Sequence, residues 1–428
     1  MKIGIIGSYG GGSIGDEAIL NGLINALNEA YDDQNINISI FTSSVENTTS
    51  SINFDKYKLN IRVINWATGK ETNKTSKIKS SKNINLKRFN FKNFYAFSQT
   101  KFPSLTIFTE KYCRRLLKKT LLKPGLFNDL EILLFGGGNI LMDFYPKWLL
   151  LLEEILHEAN KSKVKVYFLG VGAGPINTFY GKKIIKNILG NYYISTRDIK
   201  SRFLLEEISS ERLKANTDLA FGLFRGKIKN IVKHGIGVTV VPFFAEYYWP
   251  KKNRKKFNNY KYNMAKILDN LISKSKEEIF FFATNFPSDL KAAKDIMSLM
   301  NSKSMIFVED KRLSVDQILN FCEKRKFVIG TRLHSLILSA CVNTNFYAIN
   351  YQPKVNYFLE KINKNDNYID INKLTNYTLS IKEIEEITNK IYQAYLSSNS
   401  NNSQLIKAEK DKLLNEIKNI IDDYIKHS

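Results

Sequence analysis

Short apolar runs that end in glycine and lead into helical spacing recur along the chain, and this alternation constrains its fold most. The clearest pairs of run and turn are Ile3–Ile6 with Gly10–Gly15, Glu131–Phe135 with Gly136–Gly138, and Val164–Leu169 with Gly170–Gly174. Strands that alternate with helices are typical of parallel sheets, because each helix carries the chain back across the sheet. We therefore predict an α/β fold.

The alternation restarts at Gly235–Val241 and continues through four further apolar runs, the last near Phe346–Asn350. A chain of 428 residues exceeds what one hydrophobic core usually supports. We predict two doubly wound, Rossmann-like domains facing a cleft, at 1–226 and 232–385, and a charged helical tail at 386–428. Ligands of such sheets bind outside the carboxyl ends of the strands.

The net charge of +23 is concentrated in three basic stretches. They are Lys70–Lys92, Lys111–Lys123 and Lys251–Lys261, and the first two belong to a polar insertion at about 66–125 with a predicted helix near Leu105–Leu122. Attraction to an anionic membrane and compositional bias of the genome both remain open as explanations. Nucleic acid is the least favoured partner, because the strand-end motifs described below have no role in phosphate-backbone binding.

The compartment is predicted to be the cytoplasm, with the inner face of the membrane as an open refinement. No apolar run approaches the ~18–20 residues that span a bilayer, and the run at Ile3–Ile6 is too short for a signal peptide. Cys113, Cys322 and Cys341 have no C-x-x-C spacing, so we expect reduced thiols and no zinc site.

The first glycine turn, Gly10–Gly15, satisfies the G-x-G-x-x-G pattern between a strand and a helix. A dinucleotide site would also need an acidic residue after the second strand, and Ile40–Ser43 offers none. We therefore favour a loop in which Gly12 and Gly15 bind an anion or a sugar. Asp16 either caps the following helix or contacts an acceptor hydroxyl.

The other two glycine clusters are expected to build a shared floor of backbone at the strand ends. Their predicted binding positions are Gly137, Gly138 and Asn139 in one cluster and Gly172 and Gly174 in the other. The sequence contains no P-loop, no G-x-S-x-G nucleophile turn and no H-E-x-x-H metal pair.

The most specific feature is Gly330–Ser335, which follows the apolar run Phe327–Ile329 and opens an apolar helix. We predict that Thr331 caps this helix and that Arg332 and His334 lie in its first turn, where anions are favoured. Arginine binds carboxylate or phosphate through two parallel hydrogen bonds, and histidine can donate a proton near neutral pH.

The other histidines lack such a setting, since His157 lies in a helical pattern, His234 in a linker and His427 in the tail. The alternative for Arg332 and His334 is a buried pair that only stabilises the fold.

Two further strand ends offer polar side chains. Arg197 either pairs with the helix-capping residue Asp198 or faces Arg332 across the cleft. Tyr351 and Lys354 follow the last predicted strand and supply a hydroxyl and a cation.

The order of these motifs resembles the polysaccharide pyruvyl transferase family. The matching segments are Gly15-Asp16-Glu17, Gly136–Gly138, Gly170–Pro175, Thr196-Arg197-Asp198, Thr217-Asp218, Gly330–His334 and Tyr351–Val355. The resemblance implies a fold like that of GT-B glycosyltransferases, which have two Rossmann domains. It also implies phosphoenolpyruvate as donor substrate, a saccharide acceptor, a pyruvate ketal as product, and neither cofactor nor metal.

Within this resemblance, the expected catalytic residues are His334 as the acid, Arg332 at the donor anion and Arg197 at the departing phosphate. The residues expected to bind substrates are Gly12, Gly15, Asp16, Gly137, Gly138, Asn139, Gly172, Gly174, Thr331, Ser335, Tyr351 and Lys354. Two alternatives remain open: a nucleotide-sugar-dependent glycosyltransferase of GT-B architecture, and a basic scaffold without catalysis. The sequence names neither the acceptor nor the oligomeric state.

Overall fold

The computed structural model describes residues 1–31, 36–72, 109, 120–209, 212–226, 231–248, 251–397 and 403–427. The chain divides into two compact units. The first comprises Met1–Gly11, Leu23–Leu219 and Leu413–Ser428, and the second comprises Gly12–Gly22 and Ala220–Lys412. The division thus assigns Gly12 and Gly15 of the predicted anion-binding turn to the second unit and the end of the predicted tail to the first.

The first unit is built on a sheet whose strands are β1 (Lys2–Ile6), β2 (Asn37–Thr42), β3 (Asn60–Asn65), β4 (Glu71–Thr72), β5 (Ile132–Gly136), β6 (Asn139–Leu141), β7 (Lys165–Ala173), β8 (Tyr193–Thr196) and β9 (Lys214–Ala215). The strand order is β4-β3-β2-β1-β5-β7-β8-β9, with β6 paired to β7. Among these strands β4 is antiparallel to its neighbour, and the other pairs are parallel.

The helices of the amino-terminal half are α1 (Ile14–Ala30), α2 (Val45–Ser51), α3 (Pro146–Lys161), α4 (Phe179–Leu189) and α5 (Ile199–Ser209). The central strands are apolar along their length because parallel sheets are covered by helices on both faces. In β5 every residue is buried, and its Ile132 lies beside Ile3 of β1 in register. The order β3-β2-β1-β5-β7-β8 is the classic doubly wound arrangement.

The second unit repeats this arrangement with β10 (Ile236–Val238), β11 (Ile279–Phe281), β12 (Ile306–Val308), β13 (Phe327–Gly330), β14 (Asn345–Asn350) and β15 (Tyr368–Asp370). All pairs in this sheet are parallel, in the order β12-β11-β10-β13-β14-β15. The helices that follow the first strand are α6 (Arg254–Ser275), α7 (Ser288–Leu299), α8 (Val315–Glu323), α9 (Leu333–Cys341), α10 (Pro353–Lys361), α11 (Ile371–Thr375), α12 (Ile381–Leu396) and α13 (Ser403–His427).

The predicted α/β class with two Rossmann-like sheets is confirmed, and one detail is corrected. The strand near Phe346–Asn350 is not the last, because β15 pairs with β14. Most of the basic stretch Lys251–Lys261 lies in α6, where Phe257, Tyr260 and Met264 recur at helical spacing and are buried. The basic residues of this stretch therefore belong mostly to a helix that has one face in the core.

Most of the insertion lies outside the described residues. This holds for nearly all of the predicted helix Leu105–Leu122 and for most of Lys70–Lys92 and Lys111–Lys123.

The end of α13 belongs to the first unit and is held there by polar contacts. Glu416 is buried and accepts hydrogen bonds from the Tyr193 hydroxyl, at 2.9 Å, and from the Asn216 side chain. Burial raises the pKa of Glu416, and these donors partly oppose the shift. Because Tyr193 opens β8, this helix supports the strand that leads to Arg197.

Candidate active site

The turn from β13 to α9 carries the Arg332–His334 motif, and its start differs from the prediction. Thr331 does not cap the helix, since its hydroxyl donates to the Thr239 carbonyl and its amide donates to Thr239 Oγ1 at 3.0 Å. Arg332 takes the N-cap position instead, with an extended backbone. The prediction of the cap was wrong because the buried Thr331 hydroxyl binds the chain leaving the neighbouring strand β10.

Ser335 stabilises the same turn. Its hydroxyl donates to the Arg332 carbonyl at 2.6 Å and lies 3.2 Å from Thr239 Oγ1. Both Thr331 and Ser335 are fully buried, so their hydroxyls fix the backbone of the turn. Direct substrate binding by either side chain stays a prediction.

Arg332 forms a two-pronged ion pair with Asp289, the second residue of α7. Its Nη2 lies 2.7 Å from Asp289 Oδ1 and its Nε lies 2.9 Å from Oδ2. Asp289 is 1% exposed and also accepts from the amide of Asn285 at 2.8 Å and from Thr284. Burial alone would lower the pKa of Arg332, but the charge of Asp289 outweighs burial and raises it.

Two tyrosines complete the surroundings of this guanidinium. Tyr248 accepts a hydrogen bond from Arg332 Nη2 at 3.1 Å, and its ring centre lies 5.4 Å from the guanidinium carbon. Tyr351 directly follows β14, and burial raises its pKa while the positive charge of Arg332 opposes that shift. Lys354 is partly exposed in the first turn of α10.

His334 lies against the first turn of α1. A Cβ placed on Gly15 would stand 2.3 Å from His334 Nδ1 and 2.9 Å from Cε1, closer than atoms can approach. Only glycine therefore leaves room for the imidazole at this position. Gly15 and Asp16 thus belong to the same unit as the Arg332–His334 motif and to its immediate surroundings.

The glycine turn is attached to the segment that holds Asp289. The amide of Ile14 donates to the Thr284 carbonyl at 3.0 Å, and Ser13 pairs with Asn285 in an isolated bridge. Gly12 precedes this bridge with a φ of +87°, and a Cβ placed on it would have no other atom within 4 Å. The amides of Thr284 and Asn285 bind Asp289, so one short segment positions both the turn and the partner of Arg332.

We expect Gly15→Ala to lower the catalytic rate by about 100-fold, because the new methyl group must displace His334 and small misplacements of a reacting group are costly. The matched control is Gly11→Ala, where the nearest atom to a Cβ is 3.9 Å away and activity should persist. Turnover and thermal unfolding of both variants check the expectation. Equal activity of the two variants would show that the position of His334 does not matter.

Arg197 follows a strand end of the first unit, as Arg332 does in the second unit. Its Nε lies 3.3 Å from Asp198 Oδ2, its Nη1 lies 3.8 Å from Asp218 Oδ2, and it is 9% exposed. Asp198 also accepts the Ser201 amide at 2.7 Å and so caps α5. The pairing and the cap that the sequence suggested are thus both present, while a contact of Arg197 with Arg332 stays a prediction.

The two glycine clusters of the first unit meet around this arginine. A Cβ on Gly172 would lie 2.9 Å from Arg197 Nη2 and 2.8 Å from Asn139 Oδ1. The backbone amide of Gly172 donates to the Gly138 carbonyl at 2.6 Å, and the side-chain amide of Asn139 donates to the carbonyl of Gly174. Gly137 and Gly138 both adopt positive φ, at +55° and +74°. The ends of β5 and β7 therefore present glycine backbone beside a buried cation.

Three residues of the second-unit site were missed by sequence reasoning: Tyr248, Asn285 and Asp289. Asp289 stands in the first turn of α7, where acidic residues are common for helix stability alone. No sequence pattern therefore distinguished it from an ordinary surface residue. Its role follows from the order β11-β10-β13 in the sheet, which brings α7 and the turn after β13 to one edge and which no local motif encodes.

The described residues contain neither a membrane-spanning helix nor a metal-binding cluster. Within those ranges no helix is both long and apolar enough to cross a membrane. Among the same residues, no three His, Cys, Asp or Glu side chains converge to hold a metal ion.

Two Rossmann-like sheets in one chain also occur in other proteins of known structure. The putative UDP-N-acetylglucosamine 2-epimerase of Listeria monocytogenes is similar, with a TM-score of 0.52, 10% identity, and 100% of this chain and 97% of that chain covered. The Neisseria meningitidis UDP-GlcNAc 2-epimerase bound to UDP-GlcNAc gives 0.51, 10% identity, and 100% of both chains. HepE of Anabaena in complex with UDP-glucose gives 0.50, 10% identity, and 98% and 100%.

At these identities the likeness establishes the fold alone, and this fold is of the GT-B type. A search of curated proteins finds no match to the chain. The chain belongs to the polysaccharide pyruvyl transferase family, whose model matches residues 14–353. It is therefore a transferase, and the matched region contains the turn at Gly15, Arg197 and the Arg332–His334 motif.

Proposed function

We propose that this protein transfers the enolpyruvyl group of phosphoenolpyruvate to two hydroxyls of a saccharide, forming a pyruvate ketal and releasing phosphate. Membership of the family supports the transferase class. The observation that carries the donor assignment is the turn at β13 and α9, where an oriented arginine and a histidine share one helix start. We propose that the reaction serves surface polysaccharide or cell-wall glycan synthesis in the cytoplasm.

Phosphoenolpyruvate carries a carboxylate and a phosphate, and both match the groups of this site. The amides at the start of α9 favour an anion, and Arg332 adds N–H donors in a fixed plane. Because Asp289 offsets the charge of Arg332, this arginine contributes oriented hydrogen bonds more than net positive charge. Lys354 is the proposed cation that matches part of the remaining negative charge of the donor. Arg197, whose charge Asp198 and Asp218 offset in part, is proposed to donate hydrogen bonds to the departing phosphate.

His334 is the proposed general acid. It gives its proton to the methylene carbon of the donor, so that the double bond is lost and the neighbouring carbon becomes electrophilic. One acceptor hydroxyl adds to that carbon and releases its proton. The second hydroxyl then displaces phosphate and passes its own proton to the departing phosphate. Asp16, beside Gly15 at the start of α1, is the proposed residue that orients an acceptor hydroxyl.

The competing donor is a nucleotide sugar, because two of the fold relatives named above were solved with UDP sugars. Purified protein should release phosphate from phosphoenolpyruvate only when a suitable glycan is present. The glycan should gain pyruvate in equal amount. Turnover of a sugar nucleotide that depends on the acceptor, without incorporation of pyruvate, would refute the proposal.

A further inference from the structure

The first unit has an exposed face that the reaction does not use, formed by the start of α4 and one side of α5. We call it the lysine–aromatic face and define it by Phe179, Lys182, Lys183, Lys186, Ile199 and Phe203. All six side chains are exposed, with Phe179 82% and Phe203 50% accessible to solvent. Large apolar side chains grouped on a surface commonly mark a place where a partner binds.

The apolar residues of this face are held outward by ordered contacts. Thr178 caps α4 by accepting the Gly181 amide at 2.9 Å. Asp143 is buried and accepts the amides of Asn177 and Thr178. On its other side α4 buries Ile184, Ile185 and Ile188. The exposure of Phe179 is therefore fixed by the helix start and does not result from a loose end.

A groove of about 490 Å³ separates α4 from α5 within this face. Its floor is apolar, with Ile176, Leu204 and Ile208, and its rim carries Lys182, Lys183 and Lys186. One acidic residue, Glu207, also lines the groove. Arg202 is paired with Glu206, so the lysines set the charge of the rim.

We propose that the lysine–aromatic face binds the surface of an anionic phospholipid bilayer. Lysines beside a membrane are attracted by anionic headgroups, and neighbouring aromatic and aliphatic side chains enter the interface. Phe179, Ile199 and Phe203 supply the apolar part, and the three lysines of α4 supply charge complementarity. Such an arrangement would hold the first unit at a membrane without a spanning helix.

Membrane binding is measured without donor or acceptor, so its outcome does not depend on the proposed reaction. The full-length protein is sedimented with vesicles of phosphatidylcholine, with and without phosphatidylglycerol. We expect binding only when phosphatidylglycerol is present. Exchanging Lys182, Lys183 and Lys186 together for glutamate should weaken it by at least about tenfold.

Two matched controls separate this face from the total charge of the chain. Exchanging Lys251, Lys252 and Lys255 for glutamate changes the net charge equally, on another exposed stretch. Phe179→Ser is paired with Ile381→Ser, since Ile381 is 84% exposed and also the first residue of a helix. We expect Phe179→Ser to weaken binding severalfold and both controls to bind like the original protein. Circular dichroism verifies that each variant is folded.

Equal loss of binding in the two lysine variants would overturn the proposal, because attraction would then depend on net charge alone. Failure of the unaltered protein to bind phosphatidylglycerol vesicles would overturn it as well. A third contradicting result would be unchanged vesicle binding by the α4 variant together with lost binding to a single-stranded RNA. That result would assign the face to nucleic acid.

Discussion

Replacing His334 with alanine is expected to lower the rate of pyruvyl transfer by about 10²–10⁴-fold, the usual contribution of a general acid. The imidazole lies against Gly15, and it occupies the space that a side chain at position 15 would need. The loss should appear in turnover more than in binding of the donor, because the proton moves only during reaction. Steady-state phosphate release with a saturating glycan measures it.

The control for this variant is His157→Ala, which alters an exposed histidine of α3. Its activity should equal that of the original protein. Retention of more than half of the activity by His334→Ala, with an unchanged melting temperature, would remove His334 from the mechanism. The proton would then have to come from another group.

Asp289→Ala is expected to have the largest effect on stability, with a loss of about 3–5 kcal/mol of unfolding free energy. The substitution leaves the largely buried Arg332 without its counter-charge and removes the acceptor for the amide of Asn285. Activity should fall as well, because both the guanidinium and the segment beside the Gly15 turn lose their support. Thermal unfolding and turnover of the purified variant measure the two effects.

A double variant distinguishes the ion pair from simple loss of packing. Arg332→Ala combined with Asp289→Ala removes both charges, so the double variant should lose less stability than the two single losses added together. Asp295→Ala, on the same helix α7, should change stability by no more than about 0.5 kcal/mol. Additive losses in the double variant would show that the ion pair contributes nothing specific.

The architecture was largely predictable because each strand of a parallel sheet is a short apolar run bounded by a turn. The runs at Ile3–Ile6 and Glu131–Phe135 correspond to β1 and β5, with ends that differ by one residue. The strand β15 was missed, since only its central residue is buried and the period of a three-residue strand carries little information. The helix α6 was not recognised from the sequence, because the many polar residues of its exposed face obscure the apolar spacing of its buried face.

The site was predictable only in its local part. The motif at Arg332 and His334 could be recognised because both residues share one turn, and the contact of His334 with Gly15 could not. That contact joins residues more than 300 positions apart, and no pattern within a single sequence reveals such a contact. Asp289 escaped for the same reason, and the cap at Thr331 failed because a buried hydroxyl found a partner on another strand.

The most direct test of the central claim is mass spectrometry of surface and cell-wall glycans from cells with and without this protein. The proposed function predicts one glycan that gains a pyruvate ketal when the protein is present and lacks it when only His334→Ala is expressed. Glycans that differ instead by a whole sugar residue would contradict the account and identify a glycosyltransferase.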